Sequence, residues 1–122
     1  MSTLFGRVVR YLMLNLPNSV KIGAYTYDIL YEDGSFVANN IAVDGLHHFD
    51  THTIRIANVG STAYRETVFL HEVLHAILSC YMPNDPKNQD EDFVDQVSKG
   101  LYQLFVDNPD IFGMRKDVKD ES

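Results

Sequence analysis

Apolar and polar residues alternate in the first half of the chain, which is the pattern of half-buried strands. Val20–Ile22 and Tyr25–Tyr31 are predicted to form one hairpin across Gly23-Ala24, and Leu46–Phe49 and Thr53–Ala57 a second one. The pattern from Phe36 to Ala42 leaves the secondary structure of that segment open.

In the second half, apolar residues recur every three or four positions, which is typical of helices. A first helix is predicted from about Ala63 to Tyr81, after the capping candidates Ser61 and Thr62. A second helix is predicted from about Asp90 to Val106. Strands followed by long helices predict an α+β domain, in which a small, mostly antiparallel sheet packs on two long helices.

A length of 122 residues fits a single domain. We divide the chain into an apolar N-terminal extension (1–18), a main domain (19–114) and a charged flexible tail (115–122). Arg7 and Arg10 interrupt the apolar extension, so its longest uncharged part is too short to span a bilayer. No small-residue cleavage site, as in a secretory signal, follows it. These features predict a cytoplasmic protein.

The net charge and the cysteine content exclude some classes of partner and of metal site. Ten basic residues against 17 acidic ones give a net charge of −7, which argues against a nucleic-acid partner. Cys80 is the single cysteine, so no internal disulfide can form, as suits a reducing compartment. A metal site in this chain must therefore use histidines and carboxylates.

The first predicted helix carries the motif HExxH, from His71 to His75. Residues four apart lie about 40° from each other around a helix, so both imidazoles can bind one ion. Glu72 projects beside that ion, where it can accept a proton from a water molecule. The alternative is two histidines hydrogen-bonded in the core and a surface glutamate.

A catalytic zinc usually has a third protein ligand. In the second helix, Glu91 lies at the edge of the apolar stripe, and Asp95 lies one turn later on the same side of the helix. Asp92 points almost directly away from the core and is a poor ligand. We predict Glu91 as the third ligand and Asp95 as a hydrogen-bond acceptor for a ligand histidine; the alternative is that Glu91 belongs to a capping box. Further candidates are His47, His48, His52, Asp85 and Asp90, of which Asp90 is better suited as a helix cap.

HExxH at His71–His75 followed by ExxxD at Glu91–Asp95 resembles the gluzincin metallopeptidases, the thermolysin-type clan. The resemblance implies a minimal zincin-like fold and Zn²⁺ bound by His71, His75 and Glu91. It also implies that Asp95 orients a ligand histidine and that Glu72 is the catalytic base. From about Val20 to Asn108, the chain is similar to short metallopeptidase-like proteins of phages and prophages, in the style of the ImmA/IrrE type. The features that carry this similarity, besides HExxH itself, are Val20–Gly23, the hairpin from Asp50 to Ile56, Arg65–Thr67, Phe93-Val94 and Gly100–Gln103.

Two features depart from the gluzincin pattern. The spacing between His75 and Glu91 is shorter than in thermolysin, and no histidine follows His75 to stabilise the oxyanion of the transition state. Tyr64, Tyr81 and Tyr102 are candidates for that role, although core packing is the favoured interpretation of each.

The predicted function is hydrolysis of a peptide bond by a metal-activated water, with Glu72 as general base and a peptide or protein as substrate. The Thr53–Ala57 strand is expected at the edge of the sheet, where it can pair with an extended peptide. One alternative is a zinc-binding, non-proteolytic regulatory or interaction module of a mobile element. Another is a metal-free structural domain.

Overall fold

The structure is a computed structural model that describes residues 16–112 in full and residues 10–12 and 115–117 by their backbone. Strand β1 (Arg10–Leu12) pairs antiparallel with β8 (Arg115–Asp117). The rest of the predicted N-terminal extension and tail falls almost entirely outside these residues, so the assigned domain limits stay predictions.

Four strands form the main sheet, in the order β2 (Ser19–Ile22), β3 (Tyr25–Glu32), β7 (Thr53–Ala57) and β6 (Gly45–His48). The β2–β3 and β6–β7 pairs are antiparallel hairpins, as predicted, whereas β3 and β7 pair in parallel. The prediction of an α+β fold with a mostly antiparallel sheet is confirmed.

The prediction that Thr53–Ala57 forms the edge of the sheet is wrong. β7 pairs with β3 on one side and with β6 on the other. The reason is the long connection between Glu32 and Thr53, which allows the chain to cross over and insert β7 in parallel beside β3. Ile54 and Ile56 of β7 are consequently fully buried. Among the described residues, the edge strand near the helices is β6.

The segment that the sequence left open forms a small separate hairpin, β4 (Phe36–Ala38) and β5 (Ile41–Val43). Its two turn residues, Asn39 and Asn40, have φ angles of 52° and 66°. Two successive left-handed residues match the twist of a two-residue hairpin, and asparagine tolerates that conformation better than most residues. The hairpin lies directly before β6 in the chain.

Helix α1 spans Thr62–Tyr81 and begins at the predicted cap, where Ser61 Oγ accepts a hydrogen bond from the Tyr64 N–H at 3.0 Å. A short 3₁₀ turn, Pro86–Gln89, then leads into α2 (Glu91–Asp107). A final short helix, α3, spans Pro109–Phe112. Both long helices thus lie within one residue of their predicted limits.

The core places α1 between the sheet and α2. One cluster joins the sheet to α1 and consists of Ile22, Tyr27, Ile29, Ile54, Ile56, Phe69 and Ala76. A second cluster joins α1 to α2 and consists of Leu74, Leu78 and Val94. Since α1 packs on both sides, its position relative to β6 and to the start of α2 is fixed. Within the described residues, none of the helices has the length and apolar character needed to cross a membrane.

Candidate metal centre

Two imidazoles from α1 and one carboxylate from α2 face a common point. The distance from His71 Nε2 to Glu91 Oε1 is 3.0 Å, and from His75 Nε2 to Glu91 Oε2 it is also 3.0 Å. The three side chains offer ligand atoms that all lie within 4.8 Å of one another. Ligands bound tetrahedrally at 2.0–2.1 Å are separated by roughly 3.3 Å, so the two 3.0 Å contacts need to lengthen only slightly to accommodate a cation.

The start of α2 explains how Glu91 reaches α1. Asp90 is the helix cap, since its Oδ1 accepts a hydrogen bond from the Phe93 N–H at 3.1 Å. Glu91 is therefore the first helical residue and is free of the capping role that the sequence left as an alternative. Val94 packs against α1 one turn later and holds the two helices together. The Glu91 carboxylate consequently faces both imidazoles, although 70% of its side chain is exposed.

The hydrogen bonds of His75 define its tautomer. Its Nδ1 lies 3.3 Å from the Asn88 carbonyl oxygen, which can only accept, so Nδ1 carries a proton. In neutral His75, Nε2 is then an unprotonated acceptor facing the acceptor oxygen of Glu91 at 3.0 Å. Burial lowers the pKa of His75 and works against a second proton, although Glu91 opposes that shift. Two facing lone pairs of this kind suit a bound cation.

Asp95 lies behind His71, on the side predicted for it. His71 Nδ1 and Asp95 Oδ1 are 3.6 Å apart, which exceeds hydrogen-bond length. The other oxygen of Asp95 accepts a hydrogen bond from Lys99 at 2.8 Å, and this bond lowers the pKa of Asp95. Asp95 is therefore close enough to orient His71 after a small shift, and Lys99 keeps it ionised.

Glu72 is one of the few buried charged residues in the part of the chain that the structure describes, with a relative exposure of 7%. Burial, and secondarily the charge of Glu91, raise its pKa to about 8. Such a carboxyl holds a proton more readily than an exposed one, which is the property of a group that both accepts and returns protons near neutral pH.

Two clefts meet at Glu72 and run along the edge strand β6. The first has a volume of about 460 Å³ and extends past His47 and His75 towards the 3₁₀ turn, with the β4–β5 hairpin as its other wall. The second has a volume of about 610 Å³ and extends past His71 towards Tyr64. Both clefts share Gly45 and Glu91 as well, so the cluster of His71, His75 and Glu91 lies at their junction.

No family profile, curated protein or solved structure matches this chain.

The structure leaves most of the other predicted candidates away from the cluster. Asp85 caps the 3₁₀ turn through the Lys87 N–H at 2.9 Å, and Asp92 is exposed. His52 stacks on Tyr25 with ring centroids 4.1 Å apart. His48 is half-buried at the end of β6.

His47 is the exception, because it lines the first cleft together with His75. Its Nε2 forms a 2.9 Å hydrogen bond with the hydroxyl of the fully buried Tyr27. Burial, and then the neighbouring His75, lower the pKa of His47 to about 4. His47 is consequently neutral in the folded protein at pH 7.

This pKa shift predicts an acid sensitivity of the fold. The unfolded chain protonates His47 near its ordinary pKa of 6.5, whereas the folded protein does so only near 4. The stability that His47 contributes is complete above pH 6.5 and is lost as the pH falls towards 4.

His47→Gln retains an acceptor for Tyr27 but cannot titrate. The folding equilibrium constant of the wild type, relative to this variant, should fall by up to about tenfold per pH unit in that window. Urea unfolding of both proteins from pH 7 to pH 4 measures the ratio, and a constant ratio would contradict the prediction.

Two of the three tyrosines considered for the oxyanion have hydroxyls that already donate to carboxylates. The Tyr64 hydroxyl donates to Asp44, and the Tyr102 hydroxyl donates to Glu66 at 2.9 Å. Tyr81 is 69% exposed at the end of α1. Core packing describes Tyr102, which is half-buried between α1 and α2, but not the exposed Tyr64 and Tyr81.

Two residues of the site were absent from the predictions. Asn88 holds His75 through its backbone carbonyl and Ser79 through its side-chain oxygen. A backbone contact has no side-chain signature in the sequence. Gly45 lies in β6 beside Glu72, and a glycine inside a strand is a recognised sign of close approach by another group.

Proposed function

We propose that this protein is a zinc metallopeptidase of the gluzincin type. His71, His75 and Glu91 would hold the ion, and Glu72 would be the general base. The single observation that carries the proposal is the pair of 3.0 Å contacts between the two Nε2 atoms and the two oxygens of Glu91, beside a buried glutamate.

The donor set suits the proposed ion. Two imidazole nitrogens and one carboxylate are a common set of protein ligands for catalytic Zn²⁺, which leaves a fourth position for water or substrate. Asn88 behind His75 and Asp95 behind His71 are the outer partners that such histidines usually have. Glu91 lies at the junction of two clefts, so solvent and substrate can reach the fourth position.

Bound Zn²⁺ would supply Lewis acidity, which activates water and polarises a peptide carbonyl. Glu72 would accept the proton of the attacking water and return it to the leaving amine. Its burial keeps competing water away, and a neighbouring cation favours the ionised form that accepts a proton. His75 is held from behind by the Asn88 carbonyl, and Asp95 would hold His71 in the same way after a small shift.

The edge strand β6 supports an extended peptide as substrate. Among the described residues, β6 pairs with β7 on one side only, and its other side borders the clefts. A peptide that pairs with this edge places alternate side chains into the clefts and its backbone beside Glu72. This role replaces the one that the sequence had suggested for Thr53–Ala57.

A second candidate is a zinc-binding, non-proteolytic regulatory or interaction module of a mobile element. The observation that favours it is that the hydroxyls of Tyr64 and Tyr102 already donate to the carboxylates of Asp44 and Glu66, so neither is available to stabilise an oxyanion without giving up that bond. In either case we propose a cytoplasmic, phage- or prophage-encoded protein, in keeping with the motif resemblance and the single cysteine.

Two measurements on one preparation separate these functions. Protein purified without added metal is analysed for its elements, and the zinc-loaded protein is incubated with a peptide library that is read by mass spectrometry. The proposal predicts about one zinc per chain and cleavage that a chelator abolishes. Zinc without any cleavage favours the regulatory module. A chain that binds no zinc is the metal-free structural domain, and both proposals then fail.

A further inference from the structure

Gly45 lies in β6 where the edge strand passes closest to the motif helix. It is paired with Ile56 across the β6–β7 ladder, and directly paired residues point to the same face of the sheet. Ile56 is fully buried in the core that joins the sheet to α1. A side chain at position 45 would therefore project towards α1.

That space is already filled. A Cβ atom at Gly45 would lie 2.6 Å from Val68 Cγ1, 2.9 Å from Glu72 Oε2 and 3.0 Å from Glu72 Cγ. These separations are shorter than van der Waals contact. Glu72 is itself buried at the junction of the two clefts, so a group added at position 45 would push its carboxylate out of its present position towards a cleft.

The backbone at this position does not require glycine. Gly23 and Gly60 have φ angles of 61° and 77°, in the left-handed region, whereas Gly45 lies outside that region. At Gly100, by contrast, a Cβ would meet nothing within 4 Å. Gly45 has no side chain, and the Glu72 side chain occupies part of the space that a side chain at position 45 would fill.

We propose that Gly45 is a positioning residue for Glu72, because its absent side chain leaves the space in which the Glu72 carboxylate lies beside the two histidines and Glu91. A methyl group at position 45 displaces that carboxylate while leaving the three proposed ligands in place. The effect of this displacement on hydrolysis rests on the proposed function, whereas the steric coupling between positions 45 and 72 does not.

The steric coupling is tested first, by unfolding and without any assay of activity. The full chain is prepared with Val68→Ala in every protein, which removes the nearest clash, and then with Gly45→Ala, Glu72→Ala, both or neither. Gly45→Ala should lower the folding equilibrium constant by roughly tenfold or more when Glu72 is present, because overpacking a filled site is costly. In the Glu72→Ala background most of that loss should disappear. Equal losses in the two backgrounds overturn the proposal.

The effect on the reaction is tested next, with zinc-loaded Gly45→Ala and with Gly100→Ala as the matched control. Gly45→Ala should lower kcat by roughly 100-fold, the effect of a displacement of about 1 Å, with KM and zinc affinity changed less than threefold. Gly100→Ala should change none of these values. Unchanged kcat in Gly45→Ala, or an equal loss of zinc affinity, overturns the positioning role. If the wild type cleaves nothing, the proposed function fails, and the unfolding cycle still decides the steric claim.

Discussion

Glu72→Gln is expected to lower kcat by roughly 10²–10⁴-fold while the zinc content stays at one ion per chain. Glutamine has almost the same size and shape as glutamate, so it fits the space beside Gly45 and Val68. Its amide cannot accept the proton of an attacking water. Glu72 contributes no atom to the three-residue cluster, so binding of the metal should not depend on its charge.

The measurement compares kcat, KM and zinc content for Glu72→Gln and for Asp92→Asn. Asp92 is an exposed carboxylate next to Glu91, and its change to asparagine removes the same charge from the same region. Asp92→Asn should retain the activity of the wild type. Hydrolysis at the wild-type rate by zinc-loaded Glu72→Gln would show that another group is the base.

Glu91→Ala is expected to weaken zinc binding by at least about 100-fold. Loss of an outer partner of a ligand already costs about 10–100-fold, and Glu91 is proposed to bind the metal directly. Its two oxygens each lie 3.0 Å from one imidazole, so it is also the side chain that joins α2 to both histidines. Because the Glu91 side chain is 70% exposed, we expect Glu91→Ala to fold like the wild type.

Asp92 also supplies the matched control for this change, here as Asp92→Ala, because this substitution removes one carboxylate from the same first turn of α2. Competition with a chromophoric chelator measures the affinity of each protein for zinc. Zinc should raise the Tm of the wild type and of Asp92→Ala, since a ligand that binds only the folded state stabilises it. The rise should be absent in Glu91→Ala at the same zinc concentration. Equal affinities in the two variants would remove Glu91 from the proposed site.

Local patterns predicted most of the fold. Alternation located both hairpins of the main sheet, and the caps Ser61 and Asp90 marked where the long helices begin. The parallel pairing of β3 and β7 was not predictable from such patterns, because it joins strands separated by a long connection. The position of β7 inside the sheet follows from that pairing, and so does the assignment of the free edge to β6.

The cluster was predictable because helical geometry is regular. Spacing along α1 placed His71 and His75 on one face, and the phase of α2 distinguished Glu91 from Asp92. The carbonyl of Asn88 and the space at Gly45 were not predicted, since both depend on how β6 and the 3₁₀ turn approach α1. Periodicity describes single elements, whereas these two features arise only where separate elements meet.

The proposed function requires that His71, His75 and Glu91 together bind one zinc ion. Crystals of the protein grown with zinc and measured on both sides of the zinc absorption edge test it directly. We expect one strong anomalous peak per chain, with the Nε2 atoms of both histidines and a Glu91 oxygen at about 2.0–2.2 Å from it. A map without a peak at this point, or a zinc ion held there by other residues while Glu91 points away, would contradict the claim.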